Sequence, residues 1–142
     1  MAARTGSAEW RGDLKGGAGT LSVGDGVFEG NYSFASRFEE GEGTNPEELI
    51  AAAHAACYSM ALSGILAGEG HAPDAVGTTA RVHLRNVDGA PTIARIDLDT
   101  QGTVPGIDAA QFQAYAEQAK AGCPVSRALA GVPEIALTAT LA

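Results

Sequence analysis

The chain has 142 residues and a formal net charge of −8, with 9 Lys and Arg against 17 Asp and Glu. That length is enough for one domain with a real core, and the acidic balance argues against a nucleic-acid binder or a protein held on anionic membranes. The segment from Met1 to Trp10 lacks the apolar core of a signal peptide, so the expected compartment is reducing and cytoplasmic.

Between Ala8 and Phe38, short segments carrying Trp10, Leu21, Val23, Val27, Phe28, Tyr32 and Phe34 are separated by glycine clusters. This predicts a small antiparallel meander. The loop Glu39 to Thr44 then leads into a long helix. Asn45 is its expected cap and Pro46 its first residue, while Glu47 and Glu48 complement the positive end of the macrodipole. Glu48 also stands where a capping box places an acid. From Leu49 to Leu66 the residues are small or apolar, broken mainly by His54 and Ser59. A helix apolar on nearly every face is expected to be buried on nearly every face. Its end falls at Gly68-Glu69-Gly70.

Two alternating runs follow, Val76 to Val87 and Thr92 to Gln101, with a change of phase between Ile93 and Ile96. Asp88-Gly89 between them is a strong hairpin turn. Asp108 to Ala121 has helical spacing, with Asp108 as its cap, and Pro124 suits the first position of a short second helix. A last strand runs from Glu134 to Leu141. The order of meander, helix, hairpin, helix and strand predicts an α+β fold in a single domain spanning 1–142. One modest sheet cannot cover every face of the apolar helix, so a second copy of the chain is the expected cover, which makes the protein a homodimer.

The chemistry rests on two cysteines. Cys57 sits in mid-helix, placed by a rigid packed element, and Cys123 sits where one helix ends and another begins. Two thiols at such distinctive spots, in a reducing compartment, read as a redox pair more than as core filler. A peroxide-cleaving thiol needs a cation to hold it ionised, and mid-helix Cys57 gets no help from a helix end. Arg37, between Phe34 and Phe38, is the candidate cation; the alternative is an exposed strand residue alternating with apolar neighbours. Glu47 would orient that arginine through a bidentate pair, or else merely complement the helix dipole. Ten residues of helix separate Glu47 from Cys57, about 15 Å along the axis, so Glu47 cannot assist the Cys57 of its own chain. His54, three residues before Cys57, raises two further readings: a Cys–His nucleophilic pair, or a metal site completed by Cys123, His71 or His83. The spacing favours neither, and no metal or other cofactor is expected.

The run Arg37-Phe38-Glu39, the helix motif Gly43-Thr44-Asn45-Pro46-Glu47-Glu48 through Ala53-His54-Ala55-Ala56-Cys57 to Ser63, and the later Cys123-Pro124-Val125-Ser126 resemble the OsmC/Ohr family. These are the osmotically inducible protein C and organic hydroperoxide resistance proteins, and the wording of the helix motif is similar to the OsmC branch. The resemblance runs from Trp10 to Leu141. It implies an intertwined homodimer with two active sites at the interface, and a thiol peroxidase that reduces organic hydroperoxides in stress defence. It also implies that Cys57 is the peroxidatic cysteine, Cys123 the resolving cysteine that forms a disulfide with it, and Arg37 and Glu47 the supporting pair. The reductant it implies is an external dithiol, of which a lipoylated protein is one kind. Two rivals stand beside this reading: an apolar-ligand-binding dimer with inert cysteines, and the metal site on His54 and Cys57.

Overall fold

A computed structural model describes all residues from Met1 to Ala142. They form two compact units, Met1–Leu49 and Ile50–Ala142, with the boundary inside the long helix.

In the first unit β1 (Gly6–Arg11), β2 (Ala18–Val23) and β3 (Phe28–Tyr32) form an antiparallel sheet in that order, as the glycine-separated segments predict. Trp10 and Tyr32 pack with ring centroids 5.3 Å apart, and Gly19 sits beneath them, where a Cβ would come within 2.4 Å of the Tyr32 ring. After β3 the chain turns into a short helix, α1 (Phe34–Phe38), so the strand alternative for Arg37 is incorrect. The reason is local. Ser33 and Ser36 form a reciprocal capping box, and the Ser36 hydroxyl also donates to the Thr44 carbonyl at 2.7 Å.

The long helix, α2 (Pro46–Gly68), begins where the sequence places it. The Asn45 side chain accepts from the Glu48 amide at 2.9 Å and donates to the Ser36 carbonyl at 2.9 Å, so one residue caps α2 and ties it to α1. The acid half of the expected capping box is absent, because the Glu48 carboxylate takes a bond from the Thr44 hydroxyl instead. At the other end, His71 donates to Leu66 and Gly70 to Ala67, with Gly70 at φ +85°, which is a Schellman stop.

The second unit is built on a sheet ordered β4 (Ala75–Val87), β5 (Ala90–Thr103), β6 (Glu134–Leu141). β4 and β5 are antiparallel about Asp88-Gly89, both residues at positive φ, as a tight hairpin turn requires. The phase change falls at Ala94, which has no partner where Arg95 pairs with His83 and Ile93 with Leu84. β6 lies parallel to β5, so the chain crosses between them through α3 (Ala109–Gly122) and α4 (Pro124–Ala128). Asp108 caps α3 through a box with Gln111. The core joins Tyr58, Leu62 and Leu66 of α2, Ile96 and Leu98 of β5, and Phe112, Ala116 and Ala119 of α3.

By length and hydropathy alone α2 passes as a membrane span, with a mean hydropathy of 1.6. One face of it instead packs into this core, through His54, Tyr58, Leu62 and Leu66 at four-residue spacing. Another face is bare. Ala52, Ala53, Ala56, Met60, Gly64 and Ala67 are exposed, so within one chain the expectation of burial on nearly every face is not met.

Candidate active site

Two clusters of chemically capable side chains emerge, one in each unit. In the first, α1 carries Arg37 and the opening turn of α2 carries Glu47. Arg37 Nη2 donates to Glu47 Oε1 at 2.7 Å, and Arg37 Nε lies 3.2 Å from both carboxylate oxygens. Glu47 is buried at 8% exposure, so this carboxylate relies on the guanidinium for its hydrogen bonds. The guanidinium carbon also sits 5.3 Å from the centre of the Phe38 ring. Arg37 forms one wall of a cleft of about 200 Å³ whose other walls include Trp10, Leu14, Phe34 and Phe38.

The second cluster holds both thiols. Cys57 projects from α2, and Cys123 ends α3 and caps α4, with its amide donating to Ala119 at 2.9 Å. Their sulfurs lie 3.0 Å apart as free thiols. Tyr58 locks the frame by donating to the Ala116 carbonyl at 2.9 Å. Cys123 has no exposed surface, whereas Cys57 is half-buried and is the more accessible residue of the two.

The charge balance within the pair is uneven. Burial and the hydrogen bond with Cys123 push the Cys57 thiol up. Burial acts in the same sense on Cys123, but it is outweighed by hydrogen bonds from Cys57, from the Ser126 amide and hydroxyl, and from the Val125 amide, so that thiol moves down. A lone proton leaving the pair therefore leaves its charge on the less accessible sulfur. Within the second unit no lysine or arginine acts on Cys57.

His54 is fully buried, and its Nε2 lies 2.7 Å from the Ser126 hydroxyl. Burial lowers its basicity. His83 is engaged with Asp97 at 2.7 Å, while His71 packs near Tyr115. No three His, Cys, Asp or Glu side chains converge as a metal-holding group, so the metal alternative lacks its ligands. Ser126 was not singled out by the sequence reading. Its signal was present, since it stands three residues after the residue that caps α4, on the side of the helix facing that cap.

A free dithiol carried by a long helix and a helix junction on an α+β scaffold defines a thiol-redox class of protein. The chain belongs to the family of OsmC-like proteins, whose family model matches residues 39–138. It is 51% identical over 127 residues, 89% of each chain, to the peroxiredoxin OsmC of Escherichia coli strain K12. It is 33% identical over 99 residues to the organic hydroperoxide resistance protein of Xanthomonas axonopodis pv. citri, covering 69% of this chain and 68% of that one. Among solved structures, the organic hydroperoxide resistance protein OhrB of Bacillus subtilis superposes with a TM-score of 0.70 at 25% identity, over 97% of this chain and 98% of that one. An OsmC protein of Legionella pneumophila shares the fold with a TM-score of 0.76 at 23% identity, over 99% of each chain. The higher identity to OsmC than to the organic hydroperoxide resistance protein agrees with the branch read from the helix motif.

Proposed function

We propose that this chain is a cysteine-based peroxidase that reduces organic hydroperoxides to alcohols. In this reading Cys57 attacks, Cys123 resolves, and Arg37, oriented by Glu47, ionises Cys57. The observation that carries the reading is the 3.0 Å separation of two free thiols of unequal accessibility. The relatives, a peroxiredoxin and organic hydroperoxide resistance proteins, support it.

The Cys57 thiolate attacks the terminal oxygen of R–O–O–H. The O–O bond breaks, the alkoxide leaves and takes up a proton as the alcohol, and Cys57 is left as a sulfenic acid. The Cys123 thiolate then attacks the sulfenic sulfur. The S–O bond breaks and the departing hydroxide takes up a proton as water. Closing the disulfide asks each sulfur to move only slightly, since the bond is about 2.05 Å long. An external dithiol reduces the disulfide and is itself oxidised. A lipoyl-type dithiol is the reductant class that the family resemblance implies, and the reducing cytoplasm is the compartment that suits a free thiol pair.

Three further features fit this assignment. The cleft beside Arg37 is walled by aromatic and aliphatic side chains, and burying an alkyl tail contributes about 0.8 kcal/mol per methylene, which favours an organic peroxide over hydrogen peroxide. The bare face of α2 calls for a second copy, making the protein a homodimer. The length of helix between Glu47 and Cys57 then makes the Arg37–Glu47 pair of one chain a partner for the Cys57 of the other.

The test is consumption of cumene hydroperoxide with dithiothreitol as sole reductant. Cys57→Ser abolishes turnover, whereas Cys123→Ser completes one fast turnover and leaves a sulfenic acid that dimedone traps. A first-turnover rate in Cys57→Ser equal to that of the unaltered chain would remove Cys57 from the role.

A further inference from the structure

His54 and Ser126 have no part in the steps above, yet they stand in register with the two thiols. His54 lies three residues before Cys57 on α2, and Ser126 lies three residues after Cys123, in the first turn of α4. Side chains at that spacing on a helix are neighbours. The two pairs therefore meet as two rungs between the same helix and the same junction. One rung is the pair of sulfurs at 3.0 Å; the other is His54 Nε2 and the Ser126 hydroxyl at 2.7 Å.

His54 has no exposed surface and Ser126 is 6% exposed, so neither group can turn to water if their bond breaks. The bond stands in either imidazole tautomer, since a hydroxyl both donates and accepts. It is also the one side-chain hydrogen bond that ties α4, a helix of five residues, to another element. Stability alone does not account for the histidine. Its Nδ1 is buried without a partner, a cost that an apolar side chain of similar size would avoid. We infer that His54 and Ser126 are positioning residues for the redox step: their bond fixes the start of α4 against α2 and keeps the Cys123 sulfur within reach of Cys57.

This role deepens the peroxidase reading and rests on it for the oxidant. The sulfur rung changes during turnover while the other does not. When Cys57 is a sulfenic acid, the Cys123 thiolate attacks its sulfur and the S–S bond forms. The S–O bond breaks, and the departing hydroxide takes up a proton as water. The sulfurs close from 3.0 Å to about 2.05 Å, and they part again when a dithiol reduces the disulfide. Through both changes the His54–Ser126 bond holds the two backbones at one spacing, so each closure starts from near-attack geometry.

The main experiment needs no peroxide, so its failure is distinct from a failure of the peroxidase reading. The unaltered chain and its variants are equilibrated with mixtures of reduced and oxidised dithiothreitol. The ratio of Cys57–Cys123 disulfide to dithiol is then read by mass after alkylation of the free thiols. Exchange converts the two protein thiols to a disulfide and returns the oxidised reagent as its dithiol. Ser126→Ala and His54→Leu each lower the equilibrium constant for closure about tenfold, the scale of one lost buried hydrogen bond. His54→Gln, whose side-chain amide can stand in for the Nε2 group, restores it. A purely structural role would not move this constant, because a less stable chain that is still folded keeps its sulfurs at the same spacing. In a single turnover with one equivalent of cumene hydroperoxide, closure slows by up to about a hundredfold in Ser126→Ala, the effect of a displacement near 1 Å, and dimedone captures the sulfenic acid that accumulates. Should one of the two variants fail to fold, the other decides the matter. A constant for closure unchanged from that of the unaltered chain overturns the proposal.

Discussion

A thiol among apolar side chains keeps its proton unless a charge or a donor intervenes. Cys123 has its donors in its own unit, at the start of α4, and moves down, whereas burial pushes Cys57 up. The proposed mechanism therefore makes a sharp demand on Arg37. In a Cys123→Ser background, Arg37→Ala should raise the Cys57 midpoint by about 1 to 3 pH units, the usual effect of losing an adjacent opposite charge. An unmoved titration at 240 nm would show that another group ionises Cys57. The same substitution strands the buried Glu47 carboxylate, so some loss of stability should accompany it.

His54 supplies a second prediction at this scale. A free imidazole protonates near pH 6.5, and burial holds His54 below that. As pH falls through that value the unfolded chain takes up a proton that the folded chain refuses. Stability is thus complete above about pH 6.5 and declines as pH drops toward the folded-state pKa, with a slope of at most about 1.4 kcal/mol per pH unit from this residue. Urea midpoints across that range should fall less steeply for His54→Phe than for the unaltered chain. Parallel curves would mean that His54 contributes nothing to the slope.

At the scale of elements, the second unit depends on how closely α3 approaches β5. Gly102 lies in β5 against the fully buried Phe112 of α3, and a Cβ there would come within 2.4 Å of the ring. The ring is itself part of the buried core. Gly102→Ala should therefore destabilise the fold by about 1–3 kcal/mol, the range for overpacking a filled core. A urea midpoint indistinguishable from that of the unaltered chain would show that the α3–β5 contact yields.

At the scale of the whole molecule, the bare alanine- and glycine-rich face of α2 and the site proposed to span two chains stand or fall together. Analytical ultracentrifugation at micromolar concentration should find a dimer, and a monomer would remove the arrangement. A mixed dimer of Glu47→Ala and Cys57→Ser chains then decides which Glu47 serves which Cys57. If Glu47 acts across the interface, one site keeps both groups and the other loses both, so about half the activity survives. If it acts within its own chain, each site has one defect and activity nearly vanishes.

What the sequence determined by itself was local in origin. The Asn45 cap, the Asp88-Gly89 turn, the Asp108 cap and the Cys123-Pro124 junction each follow from residues within a few positions of one another, where backbone preference and side-chain reach leave little choice. The helix motif carried the family as well. Only the tertiary structure decided the rest. Cys57 meets Cys123 across 66 positions, and no periodicity encodes such a meeting. The partition of charge between the two sulfurs depends on Ser126, which acts on Cys123 alone, since the Val125 amide acts on both. Arg37 lies on a helix because Ser36 bonds back to Ser33 and forward to Thr44, a pair of contacts that outweighs the alternation of its aromatic neighbours. Short-range rules set the pieces and their ends; packing between distant segments set which thiol is reachable and which is held charged.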